Sequence, residues 1–240
     1  MLSLDVVIPF SQPDSWRERE LQLILDRVHH ASPSAVFIAG SDKEHVENLP
    51  AGVTYVPVAD WSKPRAVNQI VLNECKSEWI LVLDADVLLS FAKVRENLEA
   101  HGPHAQVIRP CRKILRLSKA TTEELLRTGA DVKLTGKEEP VTVITGGAFL
   151  ITRAMYLHVR GFDERFVRYL EDADLKSRLV NTAVTSVCGD PPGLHMFHTP
   201  AVRRSNEYTP LYKRRLALDY AARIADTESC IPPGLGSPRE

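Results

Sequence analysis

Apolar residues along the chain fall into short β-branched runs that alternate with stretches of helical spacing. Leu4-Asp5-Val6-Val7-Ile8 is a run of strand type closed by Pro9, and from about Ser15 to His30 the residues Leu21, Ile24, Leu25 and Val28 recur on one helix face. The order then repeats. Ala35 to Ala39 reads as a strand ended by Gly40, Thr54 to Val58 as a third strand, and Pro64 to Cys75 as a helix with proline in its first turn. Trp79 to Leu83 is apolar at every position, the pattern of a central parallel strand covered on both faces. Such alternation over the first 110 residues predicts a doubly wound α/β fold, a mostly parallel central sheet flanked by helices.

Beyond residue 110 the regularity weakens. Thr121 to Thr128 reads as a short helix, Val141 to Ile151 as a strand with Gly146-Gly147 inside it, Asp172 to Asn181 as a helix, and Pro210 to Asp226 as a last long helix. The tail from Ile231 to Glu240 carries three prolines and two glycines and reads as frayed. No Gly-, Ser- or Pro-rich linker splits the chain, so one domain is expected.

Composition narrows the class without naming a chemistry. Of 240 residues, 44% are hydrophobic and 25% charged, which excludes a disordered, collagen-like or disulfide-stapled chain. Lys plus Arg number 30 against 31 acids, so nothing in the net charge of -1 points to nucleic acid. The N-terminus lacks a cationic leader, and the longest apolar stretch, Trp79 to Leu89, is about half the ~20 residues of a membrane span. Cys75, Cys111, Cys188 and Cys230 form no CxxC pair, which argues against a zinc site and fits reduced thiols. The expectation is a cytoplasmic protein with no transmembrane segment, peripheral membrane contact being left open. Two basic clusters, Arg109 with Arg112, Lys113, Arg116 and Lys119, and Arg203 with Arg204, Lys213, Arg214 and Arg215, read first as solvated faces. A diphosphate, an anionic acceptor or an anionic lipid surface is the alternative.

Three constellations carry candidate chemistry. Asp84-Ala85-Asp86 follows the Trp79 strand at its carboxyl edge, where open α/β sheets bind ligands. No cation stands beside it in sequence. Side chains two apart on a strand share a face, and paired hard oxygens suit Mn²⁺ or Mg²⁺ bridging a diphosphate; helix capping or a solvated turn is the plain alternative. Gly146-Gly147-Ala148-Phe149, Gly161-Phe162-Asp163-Glu164 and Glu171-Asp172-Ala173-Asp174 form the second group, with Glu171-Asp172 opening a helix where carboxylates also serve as caps. The third is His195 and His198, one core histidine and one ligand, or neither; an imidazole could complete an oxygen-ligated divalent site.

In this order the motifs resemble the GT-A nucleotide-sugar glycosyltransferases, family-2-like with a galactosyltransferase-type C-terminal motif. Val6-Val7-Ile8-Pro9-Phe10 looks like their first strand, Lys63-Pro64-Arg65-Ala66-Val67-Asn68 like their Arg-x-x-Asn helix start, and Asp84-Ala85-Asp86 like their metal motif. The glycine and acidic motifs match the acceptor-side signature, and the resemblance covers about residues 4 to 200. It implies a Rossmann-like GT-A domain over 1–228, with a nucleotide-binding half at about 1–110, an acceptor-side half at 111–228 and a flexible tail at 229–240.

Site roles follow from the resemblance. Asp86 would ligate Mn²⁺ or Mg²⁺, Asp84 would contact the ribose or reach the metal through water, and His198 would complete the site, with His195 as second choice. Arg65 and Asn68 would hold the diphosphate or the carboxylate pair, Pro9 and Asp42 would line the base pocket, and the Gly147 backbone would approach the donor sugar. Asp172 would be the general base, perturbed by Glu171 and Asp174, and Glu171 would bind substrate hydroxyls. The implied activity is an inverting, metal-dependent, hexosyltransferase-like transfer from a nucleotide-diphosphate sugar, UDP-linked by preference, to a glycan or other hydroxyl-bearing acceptor. A catalytically silent sugar-nucleotide-binding domain is the alternative, although it would be free to lose Asp84, Asp86, Asp172 or His198, and all four are present. A sugar nucleotidyltransferase ranks lower, because Phe10-Ser11-Gln12-Pro13-Asp14 lacks the glycine-rich loop it needs. Two departures bear on specificity: Ala39-Gly40-Ser41-Asp42 replaces Asp-Asp-Gly-Ser, and Arg168-Tyr169-Leu170 stands where the galactosyltransferase branch has Trp-Gly.

Overall fold

In chain order the elements are β1 (Leu4–Pro9), α1 (Ser15–Val28), β2 (Ala35–Ser41), β3 (Val53–Val58), α2 (Lys63–Asn73), β4 (Trp79–Leu83), β5 (Val87–Leu88), α3 (Phe91–His101), β6 (Val107–Arg109) and β7 (Lys113–Leu117). There follow α4 (Lys119–Thr128), β8 (Gly136–Pro140), β9 (Ala148–Thr152), α5 (Arg153–His158), α6 (Glu171–Leu179), β10 (Thr185–Val187), β11 (Gly193–His195), α7 (Ser205–Leu216) and α8 (Tyr220–Ala225). This computed structural model describes all residues except 12–13, 44–45, 47–48, 130–133, 135, 141–144, 168, 181, 190, 199–204 and 236–240.

Local signals explain where the elements begin. The Asp14 carboxylate accepts from the Trp16 and Arg17 amides and starts α1, and the Ser62 hydroxyl accepts from Arg65 N to start α2, with Pro64 in the first turn. Among the described residues the main sheet has seven strands in the order β10-β6-β9-β4-β1-β2-β3, parallel throughout except for β9, which runs against β4 and β6. β1 and β4 are buried on both faces, as their unbroken apolar runs require. On one face Val6, Ile8, Leu81 and Leu83 pack with Leu21, Ile24 and Leu25 of α1; on the other, Val7, Ile80 and Val82 pack with Val67, Ile70 and Val71 of α2 and Leu175 and Leu179 of α6. Each such side chain contributes roughly 1.5–3 kcal/mol when fully buried. Among the described residues no helix is long and apolar enough to cross a membrane.

A second sheet, β5-β11-β7-β8, lies beyond the carboxyl end of β4. It pairs Val87 with His195 and Leu88 with Leu194, so the residues just after Asp86 are laid against those just before His198.

Three expectations are corrected here. Gly146 and Gly147 precede β9 rather than lying within it, because Gly147 has φ +73°, outside the extended region; Val141 to Ile144 lie outside the described residues. The long last helix is two helices. Asp219 caps α8 through the Ala222 amide at 2.8 Å, and Arg223 donates to the Arg215, Leu218 and Leu216 carbonyls at 3.1, 2.9 and 2.9 Å, which terminates α7. Finally, the start of the tail is tied down: Ile231 is fully buried, and Ser229 and Cys230 bond to Asn68 and Glu164.

Candidate active site

β4 stops at Leu83, and the next residues form a turn. Asp84 N donates to Gly147 O at 2.8 Å, and Val87 N returns to Asp84 O at 3.0 Å. The strand rule that would aim Asp84 and Asp86 the same way therefore does not apply, and their carboxylates meet different partners. Asp84 Oδ1 lies 2.8 Å from Lys63 Nζ. Asp86 Oδ2 lies 3.4 Å from His198 Nε2 and 3.8 Å from Arg17 Nη1, and its Oδ1 is 4.0 Å from His195 Nε2.

Asp86, His195 and His198 each offer one ligand atom, all within 4.8 Å of one another. One carboxylate and two imidazoles fit a divalent first-row metal. Burial lowers the His195 pKa against the pull of Asp86, with Arg116 and His198 assisting, so the ring is neutral and can offer a lone pair. His195 thus stands level with His198, while Asp84 belongs to the neighbouring cluster. Beneath lies Glu20, missed in sequence because it reads as one more helix acid. Burial first, and Asp86 second, push it up to about 7 against the bond from Trp16.

Lys63, at the start of α2, is the centre of the other cluster. Besides Asp84, its ammonium lies 3.5 Å from Asp172 Oδ2 and 3.9 Å from Glu171 Oε1, and 5.9 Å from the Phe162 ring centroid. Burial opposes its charge, but Asp172, Asp84 and Glu171 outweigh burial and hold its pKa well above the ordinary value. The sequence signal was the first residue of Lys63-Pro64-Arg65-Ala66-Val67-Asn68. The residues expected to act there are engaged elsewhere. Arg65 reaches Glu164 at 3.4 Å and Asp60 at 3.8 Å. Asn68 is fully buried, its amide donating to Phe162 O at 2.8 Å while its oxygen accepts from Phe162 N and Tyr156 OH. The cation on the carboxylates is Lys63 rather than Arg65, and Asn68 is a fastener of the core.

Two consecutive left-handed residues, Tyr169 (φ +67°) and Leu170 (φ +65°), turn the chain into α6, whose first residues are Glu171 and Asp172. Non-glycine residues in that region cost about 1–3 kcal/mol each, a strain found most often at functional sites. Thr145 donates its hydroxyl to the Asp172 carbonyl. Glu171 Oε2 and Asp172 Oδ1 are buried and have no hydrogen-bond partner among the described residues. Burial raises the Asp172 pKa, Lys63 opposes, and Glu171 and Asp84 add, leaving it at about 7; Glu171 is raised by burial against Lys63. Asp174, expected to act on Asp172, is instead fully buried and bound by Arg178 at 2.8 Å and Arg215 at 2.6 Å. Arg215 also reaches Asp163 at 3.1 Å, so α6 is anchored to α7 through buried charge.

The basic clusters are not simply solvated. Arg215 is fully buried and Arg109 is 2% exposed, its Nη1 donating to the Gly146 carbonyl and, at 2.6 Å, to the Ala148 carbonyl, so that it braces the Gly147 turn. A Cβ at Gly147 would meet nothing closer than 3.5 Å, so the positive φ, not crowding, calls for glycine. Pro9 and Asp42 lie at the carboxyl ends of the parallel strands β1 and β2, with Trp61 Nε1 bonded to Ala39 O between them at 2.8 Å. Arg168, Arg203 and Arg204 lie outside the described residues.

No family model matches the chain. Over 55 residues, 23% of its length, it is 40% identical to the N-acetylglucosaminyl-diphospho-decaprenol L-rhamnosyltransferase of Mycobacterium tuberculosis, in each of two strains, and the match spans 18% of that protein. Its fold superimposes on S. aureus TarS with TM-score 0.57 at 12% identity, covering 92% of this chain and 41% of TarS. The structure of TarS 1–349 gives TM-score 0.56 at 13% identity, covering 92% of this chain and 68% of that one. The sheet is thus of the GT-A-like type, matching these structures in fold, and one 55-residue stretch is similar to a rhamnosyltransferase.

Proposed function

We propose that the protein transfers a sugar, with inversion, from a nucleotide-diphosphate donor to a hydroxyl acceptor. The observation that carries this reading is Asp172: a carboxylate held at about 7, one oxygen on Lys63 and the other buried without a hydrogen-bond partner among the described residues, in the same cluster as Asp84 at the carboxyl edge of β4. Asp172 takes the acceptor hydroxyl proton as that oxygen bonds to the anomeric carbon, and the bond from that carbon to the diphosphate oxygen breaks with its electron pair leaving on the phosphate. A single carboxylate acting as base makes this one displacement, hence inversion. Glu171 Oε2 accepts from a substrate hydroxyl, and Asp84 faces the ribose. Lys63 holds its charge between base and donor, favouring an ionised Asp172 and stabilising the anion that departs.

A Mn²⁺ or Mg²⁺ ion held by Asp86, His195 and His198 would supply charge to the leaving diphosphate. Two imidazoles favour Mn²⁺ over Mg²⁺. UDP-sugars are the first donors to try, and the name of the mycobacterial relative adds nucleotide-linked rhamnose and a lipid-diphosphate-linked N-acetylglucosamine acceptor to the panel. The test is a thermal-shift and product-release screen of the purified chain with Mn²⁺ and this panel. A matching donor at about a hundred times its Kd stabilises the fold by about 2.7 kcal/mol. If no nucleotide sugar or nucleoside diphosphate moves the melting temperature with metal present, the reading fails. Donor binding without diphosphate release to any acceptor would favour the silent-domain alternative.

A further inference from the structure

The cluster of Asp86, His195 and His198 is braced by side chains that would ligate nothing themselves. Trp16, in the first turn of α1, donates its indole N–H to two oxygens at once, Glu20 Oε1 at 3.0 Å and the Phe197 carbonyl at 2.9 Å. Phe197 is the residue before His198. Its amide donates to Thr122 Oγ1 on α4 at 2.9 Å, and the Met196 amide donates to Asp86 O at 2.9 Å. Three separate parts of the fold therefore grip the two residues that lead into His198. Glu20 is fully buried, and its second oxygen, Oε2, has no hydrogen-bond partner among the described residues. An acid so placed is costly, and core packing alone would be served by an apolar side chain. Its visible work is the bond that orients the indole, four residues back on the same helix face. Lys119 Nζ lies over the indole ring, 6.0 Å from its centroid.

We propose that Trp16 and Glu20 are positioning residues for the metal cluster: Glu20 orients the indole, the indole holds the Phe197 carbonyl, and that bond keeps His198 turned toward Asp86. The inference rests on the metal reading given above. Groups that orient ligands from behind are worth about 10- to 100-fold in metal affinity.

The test uses the purified full chain and Mn²⁺ alone. Trp16→Phe keeps the ring and its place beside Lys119 and removes the one donor. Its Mn²⁺ Kd is expected to rise about 10- to 100-fold, while the metal-free melting temperature falls by no more than about 4–8 °C, the cost of its two hydrogen bonds in a chain of this size. Glu20→Gln retains an oxygen to accept from the indole and keeps most of the wild-type affinity, whereas Glu20→Leu behaves like Trp16→Phe. Amide hydrogen exchange in metal-free protein reads the clamp without metal: Phe197 exchanges faster in Trp16→Phe than in wild type. Unchanged Kd together with unchanged exchange in Trp16→Phe overturns the proposal. So does a loss in Glu20→Gln as large as that in Trp16→Phe, since the effect would then belong to the carboxylate charge. If wild-type protein binds no Mn²⁺, the metal reading falls, and the exchange experiment decides the clamp by itself: faster exchange at Phe197 supports it and unchanged exchange overturns it.

Discussion

Asp84 and Asp86 stand in one turn with a single alanine between them, and they belong to different chemistries. Asp84 shares the Lys63 ammonium with Asp172 and Glu171, whereas Asp86 faces two imidazoles and Arg17. Around Asp84 the partner is a fixed cation, one ammonium shared among three carboxyl groups. Around Asp86, burial lowers the His195 pKa, so a carboxylate and a nitrogen lone pair are placed where the proposed divalent cation could use both. What separates the two is the chain that reaches each of them: α2 and α6 on one side, β11 and α1 on the other. A motif of two like residues is therefore a statement about position, and the neighbours assign the work.

The comparison can be broken from the base side first. Asp172→Asn removes the proton acceptor and is expected to lower kcat by about 10²–10⁴-fold, leaving Mn²⁺ and donor Kd near wild type; a variant that keeps its kcat would take Asp172 out of the reaction. Lys63→Met is next in size. Without the ammonium the Asp172 pKa rises further, so the acidic limb of kcat/KM moves to higher pH, about tenfold lost at fixed pH for each pH unit it moves, with the Asp86 cluster still binding Mn²⁺. A loss of Mn²⁺ binding in Lys63→Met would join the two clusters into one.

Wild-type kcat/KM should fall tenfold per pH unit below about 7 and level off above it, because the proton that burial favours on Asp172 blocks the base. A profile flat from pH 5 to 8 would contradict that assignment. The last effect is on stability. A carboxyl whose pKa is raised from 3.8 to about 7 binds more protons folded than unfolded, so its contribution is complete below 3.8 and is lost as pH rises toward about 7. Asp172→Asn removes this dependence. Its melting temperature should gain on wild type by about 8–16 °C between pH 4 and 7, and a constant difference over that range would show the raised pKa to be wrong.

The first half of the fold was open to reading because β1 and β4 are buried on both faces and α1 and α2 carry capping residues, all of which are local signals. α7 and α8 read as one helix because their break depends on Arg223 folding back onto the carbonyls of α7, a contact no periodicity announces. At the site, Asp172 and His198 were reached through motif order. Lys63 was passed over beside the more conspicuous Arg65 because its role exists only once α2 and α6 meet. The divergence of Asp84 from Asp86 was hidden for a similar reason: period-two reasoning holds on a strand, and the strand had already ended at Leu83. Arg109 and Arg215 looked like surface charge, since nothing in their own neighbourhoods says that carbonyls and aspartates will enclose them.

The division of labour between the two aspartates is tested most directly by calorimetric titration of Mn²⁺, without donor, into wild type, Asp84→Asn and Asp86→Asn. The account predicts a loss of at least about tenfold in affinity for Asp86→Asn and an affinity near wild type for Asp84→Asn. Equal losses in the two variants, or the larger loss in Asp84→Asn, would contradict it.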